Sequence, residues 1–398
     1  MTEGTVVVSK KGEARVLRGH PWVFRSDVAR ADGITPGAVV RVQGPRGTHL
    51  GFALFSSRSE IRLRMIERSE TLSPTFLRER LERALDWRGI VARGAAACRL
   101  VHGEGDGLPS LIVDRYGEYL SIQTLSQGME ALKEQLVGIL VELLGPRGVL
   151  ERNDPRVRLL EGLEQKVSLL HGDVPDLIEV AEGGVRLEAD LWRGQKTGLF
   201  LDQRENHLMV RGYARGRVLD GFSYNGGFGL QVAGQADEVV AVDVSRDAVA
   251  RVARNAELNA LTNVTAREAN LFDLLRELHD RGERFDTIIL DPPAFAKSKD
   301  AVEKARRGYK EINLRALKLL VPGGCLITCS CSYHVHESDL ESILTSAAVD
   351  AGASVTVVEK RRQGRDHPVV LGVPETYYLK CFVLRKLPWP TATTGTLR

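Results

Sequence analysis

The sequence predicts an α/β protein whose second half is a mostly parallel sheet, preceded by a small β-rich module and a short α+β segment. Three observations carry this. From about residue 186, short apolar strands alternate with amphipathic helices, the pattern of strands joined by helical crossovers. Those strands end in special stretches: one in a glycine-rich loop, one in an acid, one in Asp-Pro-Pro. Before residue 70 the strands are short, and Gly, Pro and Asp separate them, as in a small barrel or sandwich.

A chain of 398 residues holds two or three domains and a substantial core. It is 43% hydrophobic and 27% charged, the composition of an ordinary soluble protein. No apolar run is long enough to span a bilayer, and the first residues lack a signal peptide's layout, so the expectation is a cytoplasmic protein with no membrane partner. The five cysteines form no disulfide framework and no paired C-x-x-C, which fits reduced thiols and no structural zinc. Net charge is +3, unevenly placed: residues 1–70 hold 12 Lys and Arg against 7 Asp and Glu. A basic module beside a near-neutral body points to a polyanionic partner.

In chain order, Thr5–Val8, Val39–Val42, Leu50–Phe55 and Ile61–Ile66 read as strands. Arg62 and Arg64 would share the face opposite Ile61, Leu63 and Met65. Gly19-His20-Pro21-Trp22-Val23-Phe24 lies between the first strands. On its own, Trp22 and Phe24 would be core. The stretch resembles the entry motif of a PUA domain, which implies an RNA-binding module.

Ser73-Pro74 opens a capped amphipathic helix carrying Phe76, Leu77, Leu81 and Leu85. Strands over 110–113 and 119–124, a helix over 131–144 and a strand over 148–151 follow. His102, Glu104 and Asp106 mimic a metal cluster, but the interleaved glycines suit a turn and no further ligands follow, so no metal is expected. Residues 73–185 thus form a connecting α+β domain.

In the second half, Arg217–Asp220 is a strand running into Gly221-Phe222-Ser223-Tyr224-Asn225-Gly226-Gly227, and a helix starts at Leu230. Glu238–Asp243 is the next strand, followed by a helix over 247–261, a strand near 264–267 that leads to Asn270, a strand over 285–290 and a helix over 301–320. A glycine loop at a helix start lets backbone approach a ligand, yet it lacks the G-x-G-x-x-G of dinucleotide folds. Asp243 at a strand end can accept bonds from both ribose hydroxyls. Asn270 can read an adenine edge. Loop, acid and amide in that order suit S-adenosylmethionine. Asp291-Pro292-Pro293-Ala294-Phe295 then lies where an acceptor base would sit: prolines turn the chain out of the sheet, Asp291 accepts from an exocyclic amine and Phe295 stacks.

Gly323-Gly324-Cys325-Leu326-Ile327-Thr328-Cys329-Ser330-Cys331-Ser332-Tyr333 holds three of the five cysteines. Carbon 5 of a pyrimidine is a poor nucleophile until a thiolate adds at carbon 6. A free thiol ionises near pH ~8.5, so such a thiol needs help from its surroundings. Cys329 and Cys331 are two apart, so alternation puts both on one face and does not choose between them. Cys331 is nearer the C-terminal edge, where ligands of open α/β sheets bind. Cys325 begins the strand and reads as core; Cys98 and Cys381 sit in apolar surroundings and read as structural.

Taken together, these stretches resemble the RlmI-type family of 23S rRNA (cytosine-5) methyltransferases. The likeness covers nearly the whole chain, including Gly19–Phe24, Glu104–Pro109, Gln195–Arg204, Phe222–Phe228, Asp291–Phe295, Ser330-Cys331-Ser332 and Asp366-His367-Pro368. It implies a PUA domain (1–72), a small central α+β domain (73–185) and a Rossmann-like class I methyltransferase domain (186–398). It implies Cys331 as nucleophile, since the family register after the Gly-Gly turn falls there, and Asp291 as its catalytic partner. It implies cofactor contacts from Gln203, Asp220, Phe222, Ser223, Asn225, Gly226, Gly227, Asp243, Asn270 and Asp291, and substrate contacts from Pro292, Pro293 and Phe295. Ala269-Asn270 departs from the family, which often carries an acid there. Asp366-His367-Pro368 would be an active-site loop.

The expected function is formation of 5-methylcytosine in 23S rRNA, naked or in a partly assembled large subunit, with S-adenosylmethionine as methyl donor. A related enzyme acting on a guanine nitrogen would need no thiol and should survive Cys331→Ser. A non-catalytic assembly factor would bind RNA without methyl transfer. The partners expected are this rRNA and a second copy of the chain, as a homodimer.

Overall fold

The computed structural model describes residues 2–296 and 299–390, and the chain divides into two compact units. The first comprises residues 1–180, 189–201 and 365–376; the second comprises 181–188, 202–364 and 377–398.

The first unit opens with β1 (Thr5–Val8), α1 (Lys10–Leu17), β2 (Trp22–Phe24), β3 (Val28–Arg30), β4 (Val39–Gln43), β5 (His49–Phe55) and β6 (Ile61–Glu67). They form a six-stranded sheet in the order β2-β6-β5-β4-β1-β3 around Val6, Val8, Val23, Val40, Val42 and Leu63, all without exposure. The module is therefore β-rich as expected, but the strand reading missed α1. Ser9 caps that helix through Gly12 N (3.2 Å). Glycine is required at position 12, because a Cβ there would lie 2.7 Å from the carbonyl oxygen of Asp27. Trp22 and Phe24 are half-buried rather than core, with Val23 between them fully inside.

After α2 (Phe76–Val91) come β7 (Ala97–His102), β8 (Leu111–Tyr116), β9 (Tyr119–Thr124), α3 (Gln127–Ala131), α4 (Lys133–Leu144), β10 (Gly148–Asn153), α5 (Val157–Leu160) and β11 (Lys166–Gly172). The strands form a second sheet, β11-β10-β9-β8-β7. The helix expected over 131–144 is broken at Leu132, between α3 and α4. The two sheets of this unit are tied by a buried ion pair, Arg64 Nη2 to Glu161 Oε1 (2.8 Å), with Ser56 Oγ donating to Glu161 Oε2 (2.6 Å). The two arginines on that face of β6 are therefore engaged by the protein itself. Arg64 is 5% exposed and committed to Glu161, while Arg62 donates to the carbonyls of Ser56 and Ser57 and lies over the Phe55 ring.

β12 (Ile178–Glu182) and β13 (Val185–Ala189) pair with each other. The second unit then runs α6 (Arg204–Met209), β14 (Gly216–Gly221), α7 (Gly229–Val232), β15 (Ala236–Asp243), α8 (Arg246–Leu258), β16 (Val264–Glu268), α9 (Leu271–Asp280), β17 (Phe285–Leu290), α10 (Val302–Leu319), β18 (Leu320–Ser330), α11 (Glu337–Asp350), β19 (Ala353–Arg362) and β20 (Lys380–Pro390). The sheet order is β16-β15-β14-β17-β18-β20-β19. β16 to β18 run parallel in that order, and β20 pairs antiparallel with both β18 and β19. Strand order reverses between β14 and β17, so their carboxyl ends flank the crevice where open α/β sheets bind ligands. Gly221 stands beside Leu290 there, which brings Asp220 and Asp291 to one edge.

Candidate active site

The loop between β14 and α7 carries most of the residues expected to hold the cofactor. Asp220, at the last turn of β14, is 1% exposed; its Oδ2 accepts from Gly229 N (2.9 Å). Burial pushes its carboxyl up to about 7, with the charges of Asp291 and Asp243 adding to the effect. The loop is tight: Phe222 and Tyr224 both hold positive φ (64° and 49°), a strained state for non-glycine residues that clusters at functional sites. Asp243 fixes it, Oδ2 accepting from Tyr224 N (3.0 Å) and Oδ1 from Ser245 N (2.9 Å). The glycines serve the protein's own packing. A Cβ on Gly226 would meet Leu230 at 2.8 Å, and one on Gly227 would lie 2.5 Å from the ring of His207. Asn270 caps α9, its Oδ1 accepting from Phe272 N (3.0 Å), which leaves the NH2 of its exposed amide to face outward chemistry.

Three buried polar atoms at the end of β14 and along this loop have no partner among the described residues: Asp220 Oδ1, Ser223 Oγ and Asn225 Nδ2. An unpaired buried polar group costs about 1–3 kcal/mol, so a run of them along one loop marks a place where a polar ligand completes the bonding.

The stretch expected to hold the acceptor base begins at Asp291. Its N–H donates to Gly221 O (3.3 Å), and its Oδ1 accepts from Gln203 Nε2 (2.9 Å). Gln203 is 2% exposed and is itself held by Asn206, whose Nδ2 donates to Gln203 Oε1 (2.6 Å). Pro292 is buried and Pro293 exposed. Phe295 sits in an aromatic cluster with Tyr309 (centroids 4.6 Å), Phe272 (5.9 Å) and Phe222 (6.4 Å). Its ring is thus partly committed to packing, and its half-buried state leaves one part for a ligand.

β18 carries the cysteines. Cys329 has no exposure and packs with Ile289, Ile327, Cys381 and Val383. Burial pushes its thiol well up, and Cys381 adds to the effect. Burial likewise pushes Cys325 up to about 12. The ladder ends at Ser330, so Cys331 escapes the alternation that the extended strand would impose. It is half-buried, with Sγ 3.8 Å from Pro292 O, beside the Asp-Pro-Pro turn. Its neighbours are locked. The hydroxyl of Tyr309 bonds both Ser330 Oγ (3.0 Å) and Ser332 Oγ (2.9 Å), and Ala296 N donates to Ser332 Oγ (3.1 Å). Cys325 and Cys331 are both half-buried, but of the three only Cys331 lies beside the Asp-Pro-Pro turn, set between two anchored serines.

The family profile described as S-adenosylmethionine-dependent methyltransferase matches residues 163–383, and one described as a PUA-like domain matches residues 6–68. The chain is 40% identical over 387 residues to the ribosomal RNA large subunit methyltransferase I of Cronobacter sakazakii, covering 95% of this chain and 98% of that one. A protein of the same name from Shigella boydii is 40% identical over 390 residues, covering 96% and 98%.

The chain belongs to the ribosomal RNA large subunit methyltransferase I family.

Two solved structures share the fold of this family member at 21% identity: SMU.776 complexed with SAH (TM-score 0.83, covering 96% of this chain and 100% of that one) and a Streptococcus mutans structure (TM-score 0.81, with the same coverage). The protein is an S-adenosylmethionine-dependent methyltransferase with a PUA-like module and a Rossmann-like catalytic sheet. The loop fits the family's cofactor: orphaned donor and acceptor atoms on Asp220, Ser223 and Asn225 match a ligand that carries hydroxyl, amino and carboxylate groups.

Sequence reading missed three side chains. Tyr309 stands on the buried stripe of α10 with Ala305, Ile312 and Ala316; a tyrosine on an apolar stripe is the signal. His207 is buried against Glu182 Oε1 (2.7 Å); burial pulls its imidazole pKa down, but the charge and hydrogen bond of Glu182 together with the charges of Asp291 and Asp220 hold it above its ordinary value. Lys380 is a single cation in the apolar run Leu379-Lys380-Cys381-Phe382-Val383. Conversely, Asp366-His367-Pro368 belongs to the first unit. Asp366 Oδ2 accepts from Arg99 N (3.0 Å) and its carbonyl from Arg88 Nη2 (3.0 Å), and His367 packs on His102 (centroids 5.1 Å). Asp106 and Glu104 are likewise engaged, Asp106 by Arg88 (2.6 and 2.7 Å) and Glu104 by Trp22 Nε1 (2.8 Å).

Proposed function

We propose that the enzyme forms 5-methylcytosine in 23S rRNA, with Cys331 as the nucleophile. One observation supports this most: of the three thiols on and just after β18, Cys331 is the one past the ladder's end, half-buried against the Asp291-Pro292 turn.

Cys331 Sγ adds to carbon 6 of the cytosine, forming an S–C6 bond and making carbon 5 enamine-like. Bound S-adenosylmethionine supplies the electrophilic methyl group that carbon 5 takes up. A base then removes the carbon 5 proton, the S–C6 bond breaks and the thiolate leaves. Asp291, oriented by Gln203, accepts from the exocyclic amine and fixes the ring's register. Phe295 stacks on the base, and Pro292 and Pro293 shape the opening. Gln203, Asp220, Phe222, Ser223, Asn225, Gly226, Gly227, Asp243, Asn270 and Asp291 hold the cofactor. The domains divide as 1–72 for RNA capture, 73–185 as connector and 186–398 for chemistry. A homodimer is read by sedimentation.

The test is mass spectrometry of 23S rRNA from cells with the wild-type gene, with no gene, and with Cys331→Ser. The expected result is one 5-methylcytosine present only with the wild type. In vitro, Cys331→Ser should lose about a thousandfold or more in rate with cofactor affinity intact. Retained methylation in that variant would favour a nitrogen target. RNA binding with no transfer at all would favour an assembly factor.

A further inference from the structure

Lys380 opens β20, opposite Ser330 of β18 in antiparallel register. It is 2% exposed, and its Nζ donates to the carbonyls of Ser332 (2.8 Å) and Tyr378 (2.9 Å). Lysine is almost never fully buried without a paired carboxylate. Here Glu337 and Asp339 act on it only through space, and each is engaged elsewhere. Glu337 is bonded by Lys360 Nζ (3.2 Å) and Tyr377 OH (2.7 Å), and Asp339 by Arg306 Nη1 (2.8 Å). The other charged or titratable groups around it are Cys331, Arg362 across the β19 pairing, and Tyr309, which faces Cys331 from α10.

We propose that Lys380 is a positioning residue for Cys331: its buried ammonium, docked on the carbonyl of the adjacent Ser332, is the cation that favours the thiolate. The chemistry requires one, because a thiol is mostly protonated at neutral pH unless a nearby positive charge stabilises its anion. The placement suits this. The ammonium is anchored by two neutral carbonyls, so its charge is not cancelled by a contacting carboxylate. The low-polarity surroundings that cost it solvation also strengthen its field on a neighbouring anion. Burial pushes Lys380 down to about 8, and Cys331 is the first of the charges that act against that fall, so the pair is linked in both directions. The role rests on Cys331 being the nucleophile, but the linkage itself does not.

The test is the pH dependence of Cys331 alkylation by iodoacetamide in the full chain, followed on the Cys331 peptide by mass spectrometry. It is run on wild type, Lys380→Met and Lys380→Arg, with thermal melting and S-adenosylhomocysteine binding alongside. Removing the charge should raise the midpoint by about one pH unit, slowing alkylation at neutral pH about tenfold. Arg, which keeps the charge, should restore it. An unshifted midpoint in Lys380→Met, or an Arg variant that behaves like Met, overturns the proposal. A reciprocal measurement leaves Lys380 intact should its replacement unfold the chain: lysine-selective NMR of wild type and Cys331→Ser. Loss of the thiolate should lower the Lys380 titration; no change overturns the linkage. If Cys331→Ser keeps methylating RNA, the nucleophile reading fails whatever the titrations show. If it does not, and the midpoint is unshifted, only the role of Lys380 fails.

Discussion

Asp220 carries a carboxylate that the protein half satisfies: Gly229 N bonds one oxygen and the other is orphaned and buried. Its carboxyl stands at about 7 in the fold against 3.8 for the ordinary side chain. Between those values the folded state holds a proton that the unfolded chain releases, so stability falls as pH rises through the window and levels off above it. Asp220→Asn keeps an acceptor for Gly229 and removes the buried charge. In the cofactor-free chain its melting temperature should therefore exceed wild type more at pH 8 than at pH 5, and S-adenosylhomocysteine should bind more weakly. Equal gaps at the two pH values would contradict the assignment. The same logic of environment over identity separates the thiols. Cys329 and Cys331 are two positions apart, yet one is sealed among aliphatic side chains and the other meets the Asp-Pro-Pro turn.

At the scale of elements, the glycine loop shows what sequence conveys and what it conceals. A glycine loop between a strand and a helix announces a ligand, and the loop's orphaned polar atoms agree. Yet the two adjacent glycines are required by packing, Gly226 by Leu230 one helical turn on and Gly227 by His207, distant in sequence. Gly227→Ala should cost about 1–3 kcal/mol through overpacking against His207, seen as a lower melting temperature, and His207→Ala should relieve part of that cost. A full cost that persists in the double variant would argue against this contact. Strand ends were legible because acid, Asp-Pro-Pro and thiols punctuate apolar runs. Tyr309 and Lys380 were not, because each reaches the cysteine loop from a segment whose own pattern is simply amphipathic or apolar. Arg62 and Arg64 illustrate the same limit of local pattern: alternation predicts a second face for β6, but the pairing of Arg64 with Glu161 comes from a segment distant in sequence.

Across the whole molecule, the order of sheets was readable from composition and periodicity. The unit boundaries were not, since residues 189–201 and 365–376 pack with the first unit although methyltransferase sequence surrounds them. Among the described residues no helix is long and apolar enough to cross a membrane. On the proposed function, the excess of Lys and Arg in residues 1–70 would give RNA capture a large electrostatic part. Affinity for 23S rRNA fragments should fall steeply as salt rises, with a log–log slope that shrinks when exposed cations of this module, such as Lys11 and Arg25, are neutralised. A salt-independent affinity would speak for recognition elsewhere. The central claim, that Cys331 attacks carbon 6, is tested most directly by trapping. An rRNA fragment carrying 5-fluorocytosine at the target cannot lose its carbon 5 substituent, so the S–C6 bond persists after methylation. Peptide mapping of the cross-linked protein should place the nucleotide on Cys331. A cross-link on Cys329 or Cys325, or none where the unfluorinated fragment is methylated, would contradict the account.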